Sequence, residues 1–387
     1  MGLLPLNRRT LLRAVSAASL YGLVGRIALA DGRALITHRA APLNAEPEPA
    51  VLRASFVTAV SDFYIRNHGD IPQLSPETYA LTINRSGAPP LVLTLGALKT
   101  KFKEHTVMAV MQCAGNRRRD MFAVKPVAGD PWSLAAIGNA RWTGVALGDV
   151  LRAAGVTADS ALHVAFESHD KVVEDGETFT YGVSIPLDKA MAPDTLLAYA
   201  MNGAALTTEH GFPLRVVTPG YAGCRSPKWL AAITVQDKPS ASRIQQTSYK
   251  LFRPDVTKAM ADPDKGATIN AMPITSAICE PVAGAQLKPG PCTVRGYAMA
   301  TSKRVEHVEV SADGGKNWMR AHLDEPAENP WTWTFWSARL KLTKGNHELV
   351  VRAWNEIGQT QPENVTDIWN HRGYLSTAWH RVHVSAV

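Results

Sequence analysis

Apolar residues in the first two thirds of the chain follow two spacings, one typical of strands and one typical of helices. Short apolar runs bounded by turn residues predict strands at 79–83, 91–93, 107–111, 214–217 and 230–235. The first two runs flank a Gly-Ala-Pro-Pro sequence and predict a hairpin. Val145, Leu147, Val150, Leu151 and Ala154 lie near helical spacing, and Gly155 is expected to end that helix. We therefore expect a mixed α/β domain without internal repeats.

The last third of the chain has a different pattern, in which short β-type runs alternate with turn signals. The runs are 292–297, 305–310, 331–336 and 348–354, and Asp313-Gly314-Gly315 supplies a tight turn between two of them. This pattern is typical of an all-β sandwich of immunoglobulin type. A Pro-, Asp- and Lys-rich stretch at 253–265 separates the two patterns. The predicted fold class is therefore α+β, with domains at 31–262 and 263–387.

The first 30 residues have the composition of an export signal. Arg8 and Arg9 precede two leucines, a small and apolar stretch follows, and the segment ends in Ala28-Leu29-Ala30. The paired arginines are typical of a twin-arginine signal, which exports folded proteins. An uncleaved membrane anchor is the alternative, but Arg26 interrupts the apolar run, which is shorter than the roughly 20 residues that span a bilayer. We expect a mature periplasmic protein without stable membrane insertion.

Composition and charge exclude several other classes of protein. The chain has 387 residues, 45% hydrophobic and 19% charged, which suits a globular protein with a large core. Four arginines of the signal segment reduce the formal charge from +7 to +3 for the remainder, which has no dense basic run, so nucleic-acid binding is not expected. Four cysteines without a CxxC pair disfavour a disulfide scaffold, a zinc ribbon and covalently bound haem.

Three segments carry candidate chemistry. Cys113 precedes three consecutive arginines, whose positive charge favours the thiolate form that binds soft metals. The alternative for Cys113 is a buried structural cysteine beside a solvated basic loop.

The second segment contains Arg66 and His68, which would point the same way from an extended strand. Together they would bind an oxyanion through charge-assisted hydrogen bonds. A surface salt-bridge site is the alternative. The third segment runs from Glu209 to Leu230 and contains Gly, Pro and Ser with Arg215, Arg225 and Lys228, which suits contacts to a phosphate. A glycine-containing loop is weak evidence by itself.

Together these segments resemble the sulfite oxidase family, specifically its bacterial, exported, haem-free sulfite dehydrogenases. The motifs that carry the resemblance are Arg-Asn-His-Gly at 66–69, Gln-Cys-Ala-Gly-Asn-Arg-Arg at 112–118, Ala-Arg-Trp-Thr-Gly at 140–144, Tyr-Gly-Val-Ser-Ile-Pro-Leu at 181–187, His-Gly-Phe-Pro at 210–213 and Lys-Trp-Leu at 228–230. The segments 311–315 and 378–384 are similar to the immunoglobulin-like dimerisation domain of that family. The resemblance therefore covers nearly all of the mature chain.

The resemblance implies a molybdenum–molybdopterin cofactor with Cys113 as its single protein thiolate. It also implies a substrate pocket formed by Arg66, Arg118 and Tyr249, and a homodimer. The residues implied in binding the pterin and its phosphate are Tyr64, Ile65, Arg66, Asn67, His68, Asp170, His210, Arg215, Ser226, Pro227 and Lys228. Cations in the pocket would offset the repulsion between the sulfite anion and an electron-rich metal site.

The implied reaction oxidises sulfite to sulfate and releases two electrons. We find no haem segment like that of cytochrome b5 before Ser55 and nothing that resembles a flavin domain after Val387, so a separate carrier, a c-type cytochrome, is the expected acceptor. A reductase of sulfoxide or nitrate with the same fold is the main alternative, and an exported binding protein without catalytic activity is another. Cys279 and Cys292 could pair in an oxidising compartment, whereas Cys224 is interpreted as a packing residue.

Overall fold

A computed structural model describes residues 25–28, 34–157, 162–324 and 329–387. In the first two thirds, the strands are β1 Gly25–Ala28, β2 Ala34–Arg39, β3 Asn44–Glu46, β4 Ile65–Arg66, β5 Ala80–Arg85, β6 Leu91–Thr94, β7 Glu104–Gln112, β8 Ile137–Ala146, β9 His163–Glu174, β10 Glu177–Pro186, β11 Leu196–Met201, β12 Ala204–Ala205, β13 Arg215–Val217, β14 Leu230–Gln236 and β15 Lys250–Leu251. The described α-helices are α1 Leu95–Lys101, α2 Arg118–Phe122, α3 Leu147–Ala153 and α4 Leu187–Met191.

The last third contains β16 Ala267–Thr268, β17 Thr275–Glu280, β18 Gln286–Leu287, β19 Gly290–Met299, β20 Val305–Ser311, β21 Met319–Arg320, β22 His322–Leu323, β23 Thr334–Leu342, β24 Gly345–Asn355 and β25 His380–Ala386. Apart from β1, the predicted signal segment lies outside the described residues. Within the described ranges, no helix combines the length and the apolar composition that a membrane span requires.

Strands dominate the first two thirds of the chain, and each α-helix there has only five to seven residues. Strands β1 to β14 form three sheets with the orders β1-β2-β3-β4, β10-β9-β14-β5-β6 and β12-β11-β8-β7, and β13 pairs with β11 at the third sheet. β15 pairs with β16 in a separate two-stranded sheet. The pair β14 and β5 is parallel. The predicted hairpin at 79–93 is confirmed as β5 and β6. The predicted helix begins later than expected, because Val145 pairs with Leu197 and Glu104 as part of β8.

The last third forms two sheets that face each other across one apolar core. Their orders are β17-β19-β23-β22 and β18-β25-β24-β20-β21, and both contribute to a single buried cluster. The prediction of a strand from Trp331 was wrong at its start, since β23 begins at Thr334 and the backbone oxygen of Trp331 accepts a hydrogen bond from Val110 N instead (2.8 Å). Asp313 begins the turn between β20 and the short strand β21. The two sheets form a β-sandwich.

A separate apolar cluster joins this sandwich to the rest of the chain. Leu52, Val110 and Leu134 from the first part pack with Tyr297 and Trp333 of the sandwich. The contact fixes the end of β7, where Cys113 follows, relative to the sandwich. The two parts of the chain therefore share one continuous interior at this point.

All four cysteines lie in the described part of the chain and are free thiols. Cys279 and Cys292 do not pair, because the β17–β19 register places Cys279 beside Gly296 and Arg295, whereas Cys292 lies opposite Leu340 further along β19. Cys279 also packs in the cluster between the two parts of the chain, and Cys292 against the sandwich core.

Candidate active site

A cavity lies among the strands and loops of the first two thirds of the chain. Its wall is formed by Phe63, Tyr64, Arg66, Asn67, His68, Met111, Cys113, Ser168, Asp170, Tyr181, Glu209, His210, Arg215, Gly223, Cys224, Ser226, Pro227, Lys228, Trp229 and Tyr249. Residues distant in sequence therefore converge on one site.

Most of the residues singled out from the sequence line this cavity. Ile65, Arg118 and Arg225 are the three exceptions. Arg225 is fully buried, and its Nε donates to the backbone oxygen of Ile269 (2.8 Å). Ile65 points away because side chains alternate along β4, and it packs with Leu35 and Ala45 in a small separate core. Ile65 can therefore contact a ligand in the cavity only through its backbone atoms.

Cys113 is positioned by the end of β7 and by the neighbouring chain. Its backbone N–H donates to the oxygen of Ala136 (2.9 Å), and its Sγ accepts from the N–H of Gly115 (3.4 Å). Burial raises the pKa of the Cys113 thiol, although Arg66 and Arg118 lower it. The expectation that nearby arginines favour the thiolate is thus outweighed by desolvation in the protein alone. Coordination to a metal ion would deprotonate the thiol.

Of the three arginines that follow Cys113, Arg118 lowers the pKa of its thiol. Arg117 donates to the backbone oxygen of Ser276 in the sandwich (3.1 Å), and Arg119 is exposed. Arg118 is buried behind Cys113 and outside the cavity wall. Its Nε donates to the oxygen of Arg372 (3.0 Å), and its Nη1 donates to the oxygen of Asp130 (2.9 Å).

Glycines make room for the Arg118 side chain. A Cβ atom added at Gly115 would lie 2.5 Å from its Nη2, and one added at Gly373 would lie 2.5 Å from its Cγ. Gly373 also has a φ of 64°, which favours glycine. The guanidinium of Arg118 is therefore enclosed by backbone, and it contributes positive charge to the Cys113 side of the site.

Tyr249 follows a single π-helical turn, Ile244–Ser248, and its hydroxyl enters the cavity. The hydroxyl and Nε2 of His68 share a hydrogen bond of 2.8 Å. The Tyr249 ring stacks on Tyr374 of the sandwich part, with centroids 5.2 Å apart. Burial, together with the charges of Arg66 and Lys228, holds the pKa of His68 well below its usual value. His68 is therefore neutral, and the hydrogen-bonded pair of His68 and Tyr249 lies beside Arg66.

Another part of the cavity wall is rich in cations. Lys228 Nζ donates to the oxygen of Glu209 (2.7 Å) and also contacts Asn67. Arg215 donates to the backbone oxygens of His210 (2.9 Å) and Ser226 (3.0 Å). These contacts hold two cations against the same wall, where the carboxylates of Asp170 and Glu209 offset part of the charge of Lys228.

Burial, together with neighbouring charges, shifts several pKa values in this wall. Burial lowers the pKa of Arg215 to about 10. Burial and the charges of Lys228 and Arg215 lower the pKa of His210 to about 3. Burial raises the pKa of Asp170 to about 6, against the opposing effect of Lys228. An anion bound here would relieve the repulsion between the cations.

Unsatisfied polar atoms test whether a polar cofactor fits. Within the described residues, Asp170 Oδ1 and Ser168 Oγ are buried in this wall without a hydrogen-bond partner. Buried polar groups are normally hydrogen-bonded, so missing partners at two positions of one cavity indicate a ligand. A pterin carrying a phosphate offers both donors and acceptors for these atoms and an anion for the cations. The residues therefore fit a molybdopterin.

Sequence reasoning missed several residues of the site. Tyr181 and Glu209 stand inside or directly beside quoted motifs, which could have identified them. Cys224 is buried as predicted, but it also lines the cavity. Tyr374 lies in the sandwich part, where no local pattern marks it as a neighbour of Tyr249.

Two family models match the chain. Residues 68–244 match the oxidoreductase molybdopterin binding domain, and residues 266–387 match the Mo-co oxidoreductase dimerisation domain. The structure of the sulfane dehydrogenase SoxCD from Paracoccus pantotrophus superposes with a TM-score of 0.74 and 26% identity, covering 95% of this chain and 91% of that chain.

Curated relatives agree with the family models. Sulfite oxidase of Gallus gallus is 42% identical over 349 residues, covering 88% of this chain and 75% of that protein. Mitochondrial sulfite oxidase of Homo sapiens is 42% identical over 353 residues, and the match spans 89% of this chain but only 64% of the human protein. With the molybdopterin-binding and dimerisation regions both present, the chain belongs to the sulfite oxidase family of molybdenum-cofactor oxidoreductases.

Proposed function

We propose that this protein oxidises sulfite to sulfate at a molybdenum–molybdopterin cofactor held in the cavity. The observation that carries the proposal is the convergence of the Cys113 thiol, Arg66 and the Tyr249 hydroxyl on one cavity, whose wall also has a cation-rich part. The balanced reaction takes sulfite and water to sulfate, two protons and two electrons. When bound, the molybdenum group supplies oxygen-atom transfer and accepts the two electrons.

The chain holds the cofactor through the residues around the cavity. Cys113 supplies the thiolate ligand, and Arg215 and Lys228 bind the phosphate. The other residues that hold the pterin are Tyr64, Ile65 through its backbone, Arg66, Asn67, His68, Asp170, His210, Ser226 and Pro227. Exclusion of water by this buried wall strengthens each electrostatic contact. The boundary between the cofactor domain and the dimerisation domain, the latter of immunoglobulin type, falls at 262/263 in this proposal.

Substrate binding depends on Arg66, with Arg118 adding charge from behind Cys113. Arg66 provides a planar guanidinium for an oxygen of the anion. His68, being neutral, donates from Nε2 to the Tyr249 oxygen, which leaves the phenol proton for another oxygen of sulfite. Tyr249 therefore orients the substrate and does not act as a nucleophile.

A steady-state assay tests the proposal. Protein matured in a host that makes the cofactor is expected to contain molybdenum and to oxidise sulfite with an artificial acceptor. Cys113→Ser is expected to abolish turnover, whereas Cys292→Ser, which alters a thiol remote from the cavity, retains it. Arg66→Gln is expected to raise KM about tenfold to a hundredfold, the effect of losing one charge-assisted hydrogen bond. Absence of molybdenum, or turnover only as a reductase of nitrate or sulfoxide, contradicts the proposal.

The electrons pass to a separate protein in this proposal, a c-type cytochrome of the periplasm. The twin-arginine sequence supports export of the folded, loaded enzyme. A sulfite titration followed by the absorbance of candidate cytochromes tests the acceptor. Replacing Arg8 and Arg9 by lysine is expected to leave the protein in the cytoplasm, and unchanged export would contradict the assigned route.

A further inference from the structure

Two cysteines approach the same cavity from different chain segments. Cys113 follows β7, and Cys224 lies in the short turn Gly223–Arg225. A Cβ atom added at Gly223 would lie 2.9 Å from the hydroxyl oxygen of Tyr64, 3.2 Å from the backbone oxygen of Gln112 and 3.5 Å from Cγ of Met111. The chain segments directly before the two cysteines therefore approach each other closely, with the Tyr64 hydroxyl beside them.

Both thiols face the same cavity. Each lines the cavity, each is free, and their exposed fractions are 6% and 7%. A disulfide requires Cα atoms roughly 4.4–6.8 Å apart, so the two segments must come within that range for the bond to form. Gly223 has no side chain at the point where the two segments approach each other.

We propose that Cys113 and Cys224 form a reversible disulfide in the chain that lacks its cofactor, and that this bond blocks the metal ligand. The blocking effect rests on the proposed function, in which Cys113 binds molybdenum. Formation of the S–S bond removes one hydrogen from each thiol, and an external oxidant, a disulfide or a diazene, takes up the two electrons and two protons. A dithiol or phosphine reverses the reaction.

The proposal has a consequence for maturation. A cofactor-free chain that enters an oxidising compartment would be locked, because the sulfur of Cys113 is no longer available. Loading must then precede export, which agrees with a signal for the transport of folded proteins. In the loaded enzyme, the Cys113 sulfur is engaged and Cys224 stays a thiol.

Thiol counting on the full-length, cofactor-free protein tests the bond. The protein is made in a host without molybdopterin synthesis, treated with diamide, quenched in acid, unfolded, alkylated and weighed by mass spectrometry. Of the four cysteines, two are expected to escape alkylation. After digestion with trypsin, the peptides 104–117 and 216–225 are expected to be joined, since Lys103, Arg117, Arg215 and Arg225 delimit them.

Matched variants identify the partners. Cys224→Ala is expected to keep all of its remaining thiols open to alkylation, whereas Cys292→Ala still loses two of them. The proposal is overturned by full alkylation of Cys224 in oxidised wild-type protein or by a joined peptide that contains Cys279 or Cys292.

Uptake of molybdenum separates this proposal from the proposed function. Oxidised wild-type protein is expected to take up no molybdenum from added cofactor until a phosphine reduces it, whereas Cys224→Ala loads with or without prior oxidation. Equal loading of oxidised and reduced wild-type protein contradicts the block. Failure of the reduced protein to load would contradict the proposed function and would leave the thiol count to decide on the disulfide.

Discussion

Tyr249 combines a polar and an apolar contact that can be separated by one substitution. Its hydroxyl is 2.8 Å from Nε2 of His68, while its ring stacks on Tyr374 at 5.2 Å. Burial and nearby tyrosines outweigh the effect of Arg66 and hold the pKa of the phenol well above its ordinary value, so Tyr249 stays protonated as a donor. A change to phenylalanine removes the donor and keeps the stack.

Tyr249→Phe is expected to lower kcat/KM for sulfite about tenfold to a hundredfold, because one hydrogen bond to an anion is lost. Steady-state kinetics on loaded enzyme measure the effect. Tyr199→Phe is the matched control, since it removes a hydroxyl that bonds to Glu104 (2.7 Å) outside the cavity. Equal kinetics for Tyr249→Phe and wild type would show that the hydroxyl does not contact the substrate.

Asp170 gives the cofactor-free protein a defined dependence on pH. Its pKa in the folded state is raised to about 6 from an ordinary value near 4. The folded state therefore holds a proton that the unfolded state has lost, and stability falls as the pH rises between these two values. Above the pKa of the folded state, the buried carboxylate lowers the free energy of unfolding by its full cost, about 3 kcal/mol.

Asp170→Asn is therefore expected to raise the melting temperature of the cofactor-free protein at neutral pH. The gain should shrink as the pH falls below the folded pKa and vanish near pH 4, because the wild-type carboxyl is then neutral as well. Thermal unfolding from pH 4 to pH 8 measures the difference in melting temperature between the variant and the wild type. A difference that does not change over this range would be inconsistent with a buried, uncompensated carboxylate.

At single positions, the sequence predicted the chemical role of a residue better than the orientation of its side chain. Cys113, Arg66 and Tyr249 meet at one wall because a motif specifies residue type and spacing. The orientation of Arg118 depends on backbone from Gly373 and Arg372, which are more than two hundred residues away in sequence. Such contacts leave no local pattern.

Among the elements, the N-terminal strands β2 and β3 support the loop next to Cys113. The Glu46 carboxylate is fully buried and accepts hydrogen bonds from Ser133 N (2.6 Å) and Ala135 N (3.1 Å). His38 Nε2 lies 2.7 Å from the same carboxylate. The backbone of Ala136, next in this loop, bonds to Cys113 N. A strand pair outside the cavity thus fixes the ligand loop.

Glu46→Gln is expected to reduce the free energy of unfolding by about 1–3 kcal/mol, because the amide cannot accept all of these bonds and leaves a buried N–H unpaired. Urea unfolding measures the loss. Glu306→Gln, the same change at an exposed position of β20, should stay within about 0.5 kcal/mol of wild type. Similar losses for both variants would argue against the supporting role of Glu46.

Strand interiors were more predictable than strand ends. The apolar run at 107–111 lies inside β7 because a buried strand needs continuous apolar residues. Val145 and Trp331 were assigned incorrectly, since Val145 pairs across two strands and Trp331 is held by Val110. Tertiary pairing of this kind overrides local spacing.

For the whole molecule, the cluster between the first part and the sandwich predicts cooperative unfolding. Trp333 is fully buried there, and its indole N–H donates to Phe56 O (3.1 Å). Trp333→Ala should destabilise the protein by about 3–5 kcal/mol and keep a single transition in calorimetry. Trp354→Ala on the outer sandwich sheet should cost less. Two separate transitions would show that the parts fold independently.

The C-terminal part of the chain predicts its oligomeric state. The match of residues 266–387 to a dimerisation domain leads us to expect a homodimer. Light scattering at micromolar concentration should give about twice the mass of one mature chain. A mass equal to one chain would contradict the dimer.

The segment 369–375 of the sandwich part reaches back to the ligand loop. Leu375 N donates to Ala114 O (2.8 Å), and Ala128 N donates to His371 O (3.1 Å). The backbone oxygen of Arg372 accepts a hydrogen bond from Nε of Arg118. Chimaeras that exchange the C-terminal part with that of a relative would therefore also replace residues that support the active site. The two parts of this chain cannot be exchanged at the linker alone, and a successful graft must keep the native pairing of these two loops.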